Sequence, residues 1–217
     1  MQNERESLKI AILTSPNQWF ENYAIELSKR LGKIPLYTNH FDIKEAYDIL
    51  FILSYHKIIE PVLLDKNRHN IVVHESDLPQ GKGWAPLFWQ ILEGKQEITF
   101  SMFEAATGID SGDIYLQRSL KLTGYELNAE LRSKQAELTF KLCAEILDNL
   151  HLLQQPKKQI CESSLYRKRT PDNSRLDLSK SIGEQFNLLR ISSNEDYPAF
   201  FEIDSHRYIL KVEEVKK

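Results

Sequence analysis

The sequence predicts an α/β fold: an open, mostly parallel sheet with helices on both faces, followed by a small C-terminal α+β tail that carries a hairpin. Three observations predict it. Short apolar runs alternate with helical patterns from Leu8 to Leu120, the order expected when strands are joined through helices rather than by tight turns. One run, Ile49 to Leu53 (ILFIL), is apolar at every position, as a strand covered on both faces must be. A polar, linker-like stretch from Gln154 to Ser164 then separates this region from a tail of different character. The chain is therefore divided into a main domain, residues 1–153, and a linker with a small C-terminal subdomain, residues 154–217.

Each element has a local reason. Leu8 to Leu13 (LKIAIL) is the first strand, closed by the breakers Ser15, Pro16 and Asn17. Trp19 to Leu31 is a helix, with Gly32 placed to take the left-handed position after its end. Ile34 to Tyr37 is a short second strand, Ile49 to Leu53 the third and Asn70 to Val73 the fourth. Ala85 to Leu92 is a short helix, Glu97 to Glu104 alternates like a strand, and Asp113 to Leu120 is another. The longest helix starts at the capping box Thr123-Gly-Tyr-Glu126 and carries Leu127, Leu131, Leu138, Leu142, Ile146 and Leu150 on one face. In the tail, Ile182, Phe186 and Leu189 mark a short helix. Ala199 to Ile203 and Tyr208 to Val212 pair around Asp204-Ser-His206.

Composition narrows the function. A chain of 217 residues should bury roughly 70% of its unfolded surface and needs no staple. With 28 Lys and Arg against 31 Asp and Glu, the net charge of −3 argues against a dedicated nucleic-acid binder. The opening MQNERESLKIAIL mixes both charges and reaches no long apolar run, so neither a signal peptide nor a membrane span is expected. Cys143 and Cys161 form no CxxC pair, and Cys143 reads as a small core residue. The expected location is the cytoplasm. No GxGxxG follows the first strand, no GxSxG occurs, and the six histidines show no metal spacing.

Chemistry in an open α/β sheet sits beyond the carboxyl ends of its strands. Three segments leave such ends: Ser54-Tyr55-His56-Lys57, the Gly/Pro-rich His74 to Pro86, and Thr107 to Asp113, which reads TGIDSGD. A histidine on one strand end and Asp110 on a neighbouring loop have the makings of an acid–base pair, since a carboxylate orients an imidazole and stabilises its charged form. By itself, such a pair is more often structural than catalytic.

The strings around these residues resemble a known family. HESDLPQGKGWAP resembles the HxSLLPxxxGxxP signature of folate-dependent formyltransferases, GIDSGDI is similar to that family's acidic loop, and LSYHKII falls where the family has a folate-lining loop. The segment YRKRTPDNSRLDLSKSIGEQFNLLRISSNEDYPAFF is similar to the one that follows the catalytic domain in sugar-nucleotide N-formyltransferases. The likeness runs from about residue 50 to 203 and implies a Rossmann-like formyl-transfer domain using 10-formyl-tetrahydrofolate, with tetrahydrofolate as product and no metal. It implies His74 and Asp110 as the catalytic residues. Ser54, Tyr55, His56, Ile58, Gly83, Trp84, Pro86, Gly108 and Asp113 are implied for the folate, with Tyr55 and Trp84 near its rings. One departure stands out: the family asparagine two residues before the histidine is Val72 here, while Asn70 lies roughly 13 Å from His74 along an extended strand. A replacement donor is sought in His56 or a backbone N–H near Trp84.

For the acceptor, the resemblance favours an amino-dideoxy-sugar nucleotide for bacterial surface glycans, more narrowly a UDP-linked 4-amino-4,6-dideoxy-N-acetyl sugar. Ser76 is expected to fasten the loop by its hydroxyl, Lys82 and Arg190 to meet the pyrophosphate, and Tyr197 and Phe200 to offer the base an aromatic platform. Partners are then the sugar nucleotide and, for assembly, a second copy of the chain; neither nucleic acid nor membrane is expected. A methionyl-tRNA formyltransferase would carry a larger C-terminal barrel and a basic surface, for which Arg167-Lys168-Arg169 is too local. The alternatives are a non-catalytic folate or nucleotide-sugar binding protein, a formyl-tetrahydrofolate hydrolase and a tRNA formyltransferase.

Overall fold

The strand β1 (Ile10–Leu13) is buried at all four positions because its neighbours cover both of its faces. In the computed structural model, which describes residues 7–215, it is followed by helix α1 (Glu21–Arg30) and the two-residue strand β2 (Leu36–Tyr37). Then come β3 (Ile49–Ile52), the single turn α2 (Pro61–Leu64), β4 (His69–His74), β5 (Lys82–Gly83), α3 (Pro86–Leu92), β6 (Glu97–Glu104), β7 (Ile114–Lys121) and the long helix α4 (Asn128–Asp148). The remainder holds β8 (Leu165–Tyr166), α5 (Phe186–Ile191) and the hairpin β9 (Ala199–Ile203) and β10 (His206–Leu210).

The main sheet has six strands in the order β2-β1-β3-β4-β6-β7. β2, β1, β3 and β4 are parallel, and β6 alone runs against the rest, pairing antiparallel with both β4 and β7. The register places Ile10 beside Ile49, Ile49 beside His69, and His74 beside Ser101. Alternation along the strands sorts the core. Ile12, Phe51, Ile71 and Phe100 face α1, α3 and α4 through Leu27, Phe88, Ile91, Leu131 and Cys143. Ala11, Leu13, Leu50 and Ile52 face Ile43, Tyr47 and Leu63 of α2. The Rossmann-like α/β sheet covered on both faces, with a hairpin in the tail, is thus what the chain forms.

Three expectations are corrected. The capping box does not sit at Thr123–Glu126: α4 starts one turn later, with Leu127 as its N-cap and Glu130 accepting the Leu127 N–H. Glu126 instead folds back onto the N–H groups of Thr123 and Gly124, closing a turn ahead of the helix. The second hairpin strand begins at His206, not Tyr208, because Asp204 and Ser205 alone make the turn, both at positive φ (47° and 69°). The stretch 154–164 does not hang free, since Lys157 exchanges two backbone bonds of 2.8 Å with Ile114 and so extends the edge at β7. Among the described residues no helix is long and apolar enough to cross a membrane.

Glu126 lies only 4% exposed between the tail and α4, where it meets Lys134 at 2.7 Å and Arg190 at 3.3 Å. Burial alone would raise its carboxyl, but the Lys134 ammonium and the Thr123 N–H outweigh that and hold it down to about 2. A depressed carboxyl stabilises the fold above its ordinary value of 4.5, and that contribution is lost as pH falls from there towards 2. Urea titrations should therefore lose on the order of 3 kcal/mol to this group between those limits. In Glu126→Gln that part of the acid slope should vanish; an unchanged slope would refute the coupling.

Candidate functional site

β4 ends in His74, and a side chain on the last residue of a rigid central strand is well fixed. The imidazole is buried, with Nε2 placed 2.8 Å from the Gly81 carbonyl and 3.6 Å from Asp110 Oδ2. A carbonyl only accepts, so Nε2 carries the proton. The chain turns after His74 and donates the Ser76 N–H back to the His74 carbonyl at 2.9 Å.

Asp110 reaches the histidine from the loop between β6 and β7. It adopts the left-handed conformation (φ 44°), and its Oδ2 accepts the Gly83 N–H at 2.8 Å. The loop can pack so tightly only through Gly112, where a Cβ would lie 1.6 Å from the Glu104 carbonyl oxygen. Gln159 clamps it from outside, its Nε2 donating to the carbonyls of Asp110 and Gly112, each at 2.8 Å. The other wall of the site is built similarly. Gly81 and Lys82 donate to Ser164, and Trp84 donates to the Tyr166 carbonyl, so β5 and β8 form a small parallel ladder. Gly83 sits at φ 95°, and a Cβ there would meet the Tyr166 carbonyl at 2.5 Å.

The third loop brings His56. Its backbone N–H donates to Ser15 Oγ at 2.9 Å, and its ring lies 5.4 Å from that of Trp84. Burial, and then the charges of Lys168 and Arg132, push its pKa below the usual histidine value, so it is neutral at neutral pH. Ile58 is 92% and Trp84 39% exposed, leaving two apolar faces at this end of the sheet. Gly108 (φ 113°), Ser54 (φ 52°) and Asp113, whose carbonyl accepts the Glu104 N–H, shape the flanking backbone, while Pro86 is buried as the first residue of α3.

Other expected residues stand elsewhere or do something else. Tyr55 spends its hydroxyl on His40 Nδ1 at 2.6 Å, so it braces the loop. The Ser76 hydroxyl is buried without a partner, so its backbone and not its hydroxyl fastens the turn. Arg190 is 1% exposed and held by Glu126 and Asn187, out of reach of any diphosphate. Phe200 is 3% exposed inside the tail, too buried to serve as a platform. Tyr197 is partly buried and Lys82 keeps its ammonium unpaired among the described residues. Val72 packs against Leu78, Phe103 and Ile114. Asn70 is spent on Leu64, Glu104 and Asn67, and of the backbone N–H groups near Trp84 that of Gly83 goes to Asp110 and that of Trp84 to the Tyr166 carbonyl. Among the described residues no group of three His, Cys, Asp or Glu side chains could hold a metal.

Several residues near the site gave no local signal: Gln159, Ser164 and Tyr166 act across long sequence separations, and Arg132 reads as an ordinary surface position of α4. A histidine, a carboxylate and, on a third loop, a neutral imidazole at the carboxyl end of the sheet form an arrangement able to move a proton and stabilise a developing oxyanion.

Residues 39–147 match the family model described as formyl transferase. A methionyl-tRNA formyltransferase of Nitrosomonas europaea is 31% identical over 127 residues, 56% of this chain; the match spans only 39% of that relative's length. HypX from Aquifex aeolicus, solved in complex with tetrahydrofolic acid, superposes with a TM-score of 0.78 at 17% identity, covering 94% of this chain and 37% of that one. A 4-N formyltransferase from Francisella tularensis superposes with a TM-score of 0.69 at 17% identity over 96% of this chain and 99% of that one. These structural likenesses concern the fold.

The clamp on the acidic loop is testable. Gln159→Ala should cost about 1–3 kcal/mol, since two carbonyls lose their donor, and should speed hydrogen exchange at Ser111 to Asp113. Unchanged exchange there would show that Gly112 packing alone holds the loop.

Proposed function

We propose that this chain, which belongs to the formyl transferase family, moves a formyl group from 10-formyl-tetrahydrofolate to the amine of an amino-dideoxy-sugar nucleotide. The observation that carries the reading is the His74–Asp110 pair, with Nε2 and Oδ2 3.6 Å apart at the carboxyl end of the parallel strands. The exposed faces of Ile58 and Trp84, on two loops beside that pair, suit a planar ring with an apolar surface. Folate supplies an activated formyl carbon; the remaining duties fall to the chain. Asp110, held by the Gly83 N–H, accepts the proton that the attacking amine must lose. His74 turns the Nε2 proton that it gives the Gly81 carbonyl in this structure to the oxygen on which negative charge develops, in a buried setting where such a donor is strongest. With Val72 in place of an amide, neutral His56 is the second donor in this reading.

One observation supports a sugar nucleotide. The segment that is similar to that of sugar N-formyltransferases begins at Tyr166 and binds a site loop directly, its Tyr166 carbonyl accepting the Trp84 N–H at 3.1 Å. In its narrowest form the proposal takes a 4-amino-4,6-dideoxy sugar carried on UDP, and a 4-N formyltransferase is among the proteins that share the fold. A second reading, formylation of an aminoacyl-tRNA, is favoured by the 31% identity to a methionyl-tRNA formyltransferase. Incubation with 10-formyl-tetrahydrofolate and either 3- and 4-amino sugar nucleotides or charged tRNA, read by mass gain of one formyl group, separates the two.

On the productive acceptor, His74→Asn and Asp110→Asn should each lower kcat by about 10²–10⁴ with little change in Tm. Wild-type turnover by either variant would sink the assignment. Val72→Asn should not raise kcat at saturating folate, because the amide would compete with the His56 donor for one oxygen, whereas His56→Ala should slow the reaction. A tenfold acceleration in Val72→Asn, about 1.4 kcal/mol of barrier, would mean that no second donor exists.

A further inference from the structure

From the cations around Phe88 and Trp84 we infer a second binding element: Arg132, Lys168 and Arg169 form the site for the diphosphate of the acceptor. The inference rests on the sugar-nucleotide reading and replaces the role first expected of Arg190. Arg132 projects from α4 and is sandwiched between two rings, its Cζ 4.2 Å from the centroid of Trp19 and 4.3 Å from that of Phe88. A guanidinium covered on both faces keeps its N–H donors in the plane between them, and one bonds Gln135 Oε1 at 3.0 Å. Arg169 approaches the same Phe88 ring, at 5.9 Å. It is 9% exposed; Nη2 donates to Ser174 Oγ at 3.3 Å, while its Nε is buried with no partner. Lys168 lies over Trp84, with Nζ 4.8 Å from the ring centroid.

None of the three is in an ion pair among the described residues. The carboxylates that act on Arg132 from outside ion-pair distance are Glu75 and, more weakly, Asp196, and Glu75 is tied to Gln135 Nε2 at 2.6 Å. Burial pushes both guanidinium pKa values down, that of Arg132 to about 10, and both stay charged at neutral pH. Two guanidinium groups on one ring, with a buried N–H left without an acceptor, are costly unless an anion completes the set. The site also lies in the right place. Trp84 directly follows Gly83, whose N–H holds Asp110, and Phe88 is one helical turn beyond Ala85. Planar forks plus a point charge match the shape and multiple charge of a nucleoside diphosphate. The chain as a whole carries −3, so this patch is a local design and not a basic surface.

The test uses the full chain and isothermal titration at low salt with inorganic pyrophosphate, UDP and 5-formyl-tetrahydrofolate. Both phosphates should bind wild type. Arg132→Gln should weaken them about tenfold or more, and Lys168→Ala several-fold, with folate affinity held within about twofold. Lys168 is exposed, so its variant decides the matter if Arg132→Gln lowers Tm. Pyrophosphate that fails to bind, or binds all three proteins equally, overturns the inference. So does a loss of folate affinity instead, which would give these cations to the folate carboxylates. If phosphate binding follows the variants but no amino-sugar nucleotide is formylated, the site stands and the acceptor reading falls. If formylation proceeds with KM unchanged in both variants, the reading stands and the site falls.

Discussion

The structure around the site depends on one constraint: residues 157–166 bond simultaneously to the loops on either side of His74. Gln159 captures the carbonyls of Asp110 and Gly112, while Ser164 and Tyr166 carry the backbone of Gly81 to Trp84. Each loop is rich in glycine or strained residues and would be loose alone, as Asp110 at φ 44° and Gly83 at φ 95° show. Bound to one crossing segment, they set Asp110 Oδ2 3.6 Å from His74 Nε2. The sheet supplies a rigid base, and this strap supplies the angle.

The strap is itself anchored to the helices. Tyr166 stacks on Trp89 of α3 at 6.3 Å and 11°, and its hydroxyl donates to Glu93; the Trp89 indole donates to the Arg167 carbonyl. A movement of α3 is therefore felt at Gly83 and, through it, at Asp110. At the far side, buried Arg190 and Glu126 join the tail helix α5 to the turn before α4. The tail helix thus rests on α3 and α4, through Ile191 in the main apolar core and through this buried ion pair, which sets geometry more than it adds net stability.

The same packing explains why the arginines removed from solvent play different parts. Arg190 has Glu126 and Asn187 and is structurally satisfied. Arg132 and Arg169 stand against aromatic rings and find only neutral oxygens as hydrogen-bond partners. Residue type alone cannot distinguish these cases, because the difference is the partner each side chain finds after folding.

The sequence by itself determined most of the elements and the loops that carry His74 and Asp110. Periodicity of two or of 3.6 is a local property, and so ILFIL, the alternation of Glu97 to Glu104 and the apolar stripe of α4 were legible, as were His74 and Asp110 through their surrounding strings. Tertiary structure decided where α4 begins, because Glu126 found Thr123, Lys134 and Arg190 in place of the helix N-terminus. It also decided that Arg190 and Phe200 are interior, that the stretch after Gln154 is a strap, and that Arg132 stands beside Arg169. Those outcomes depend on residues separated by tens of positions meeting in space. A one-dimensional pattern records a side chain's own preference, but not the partner that completes or cancels its charge.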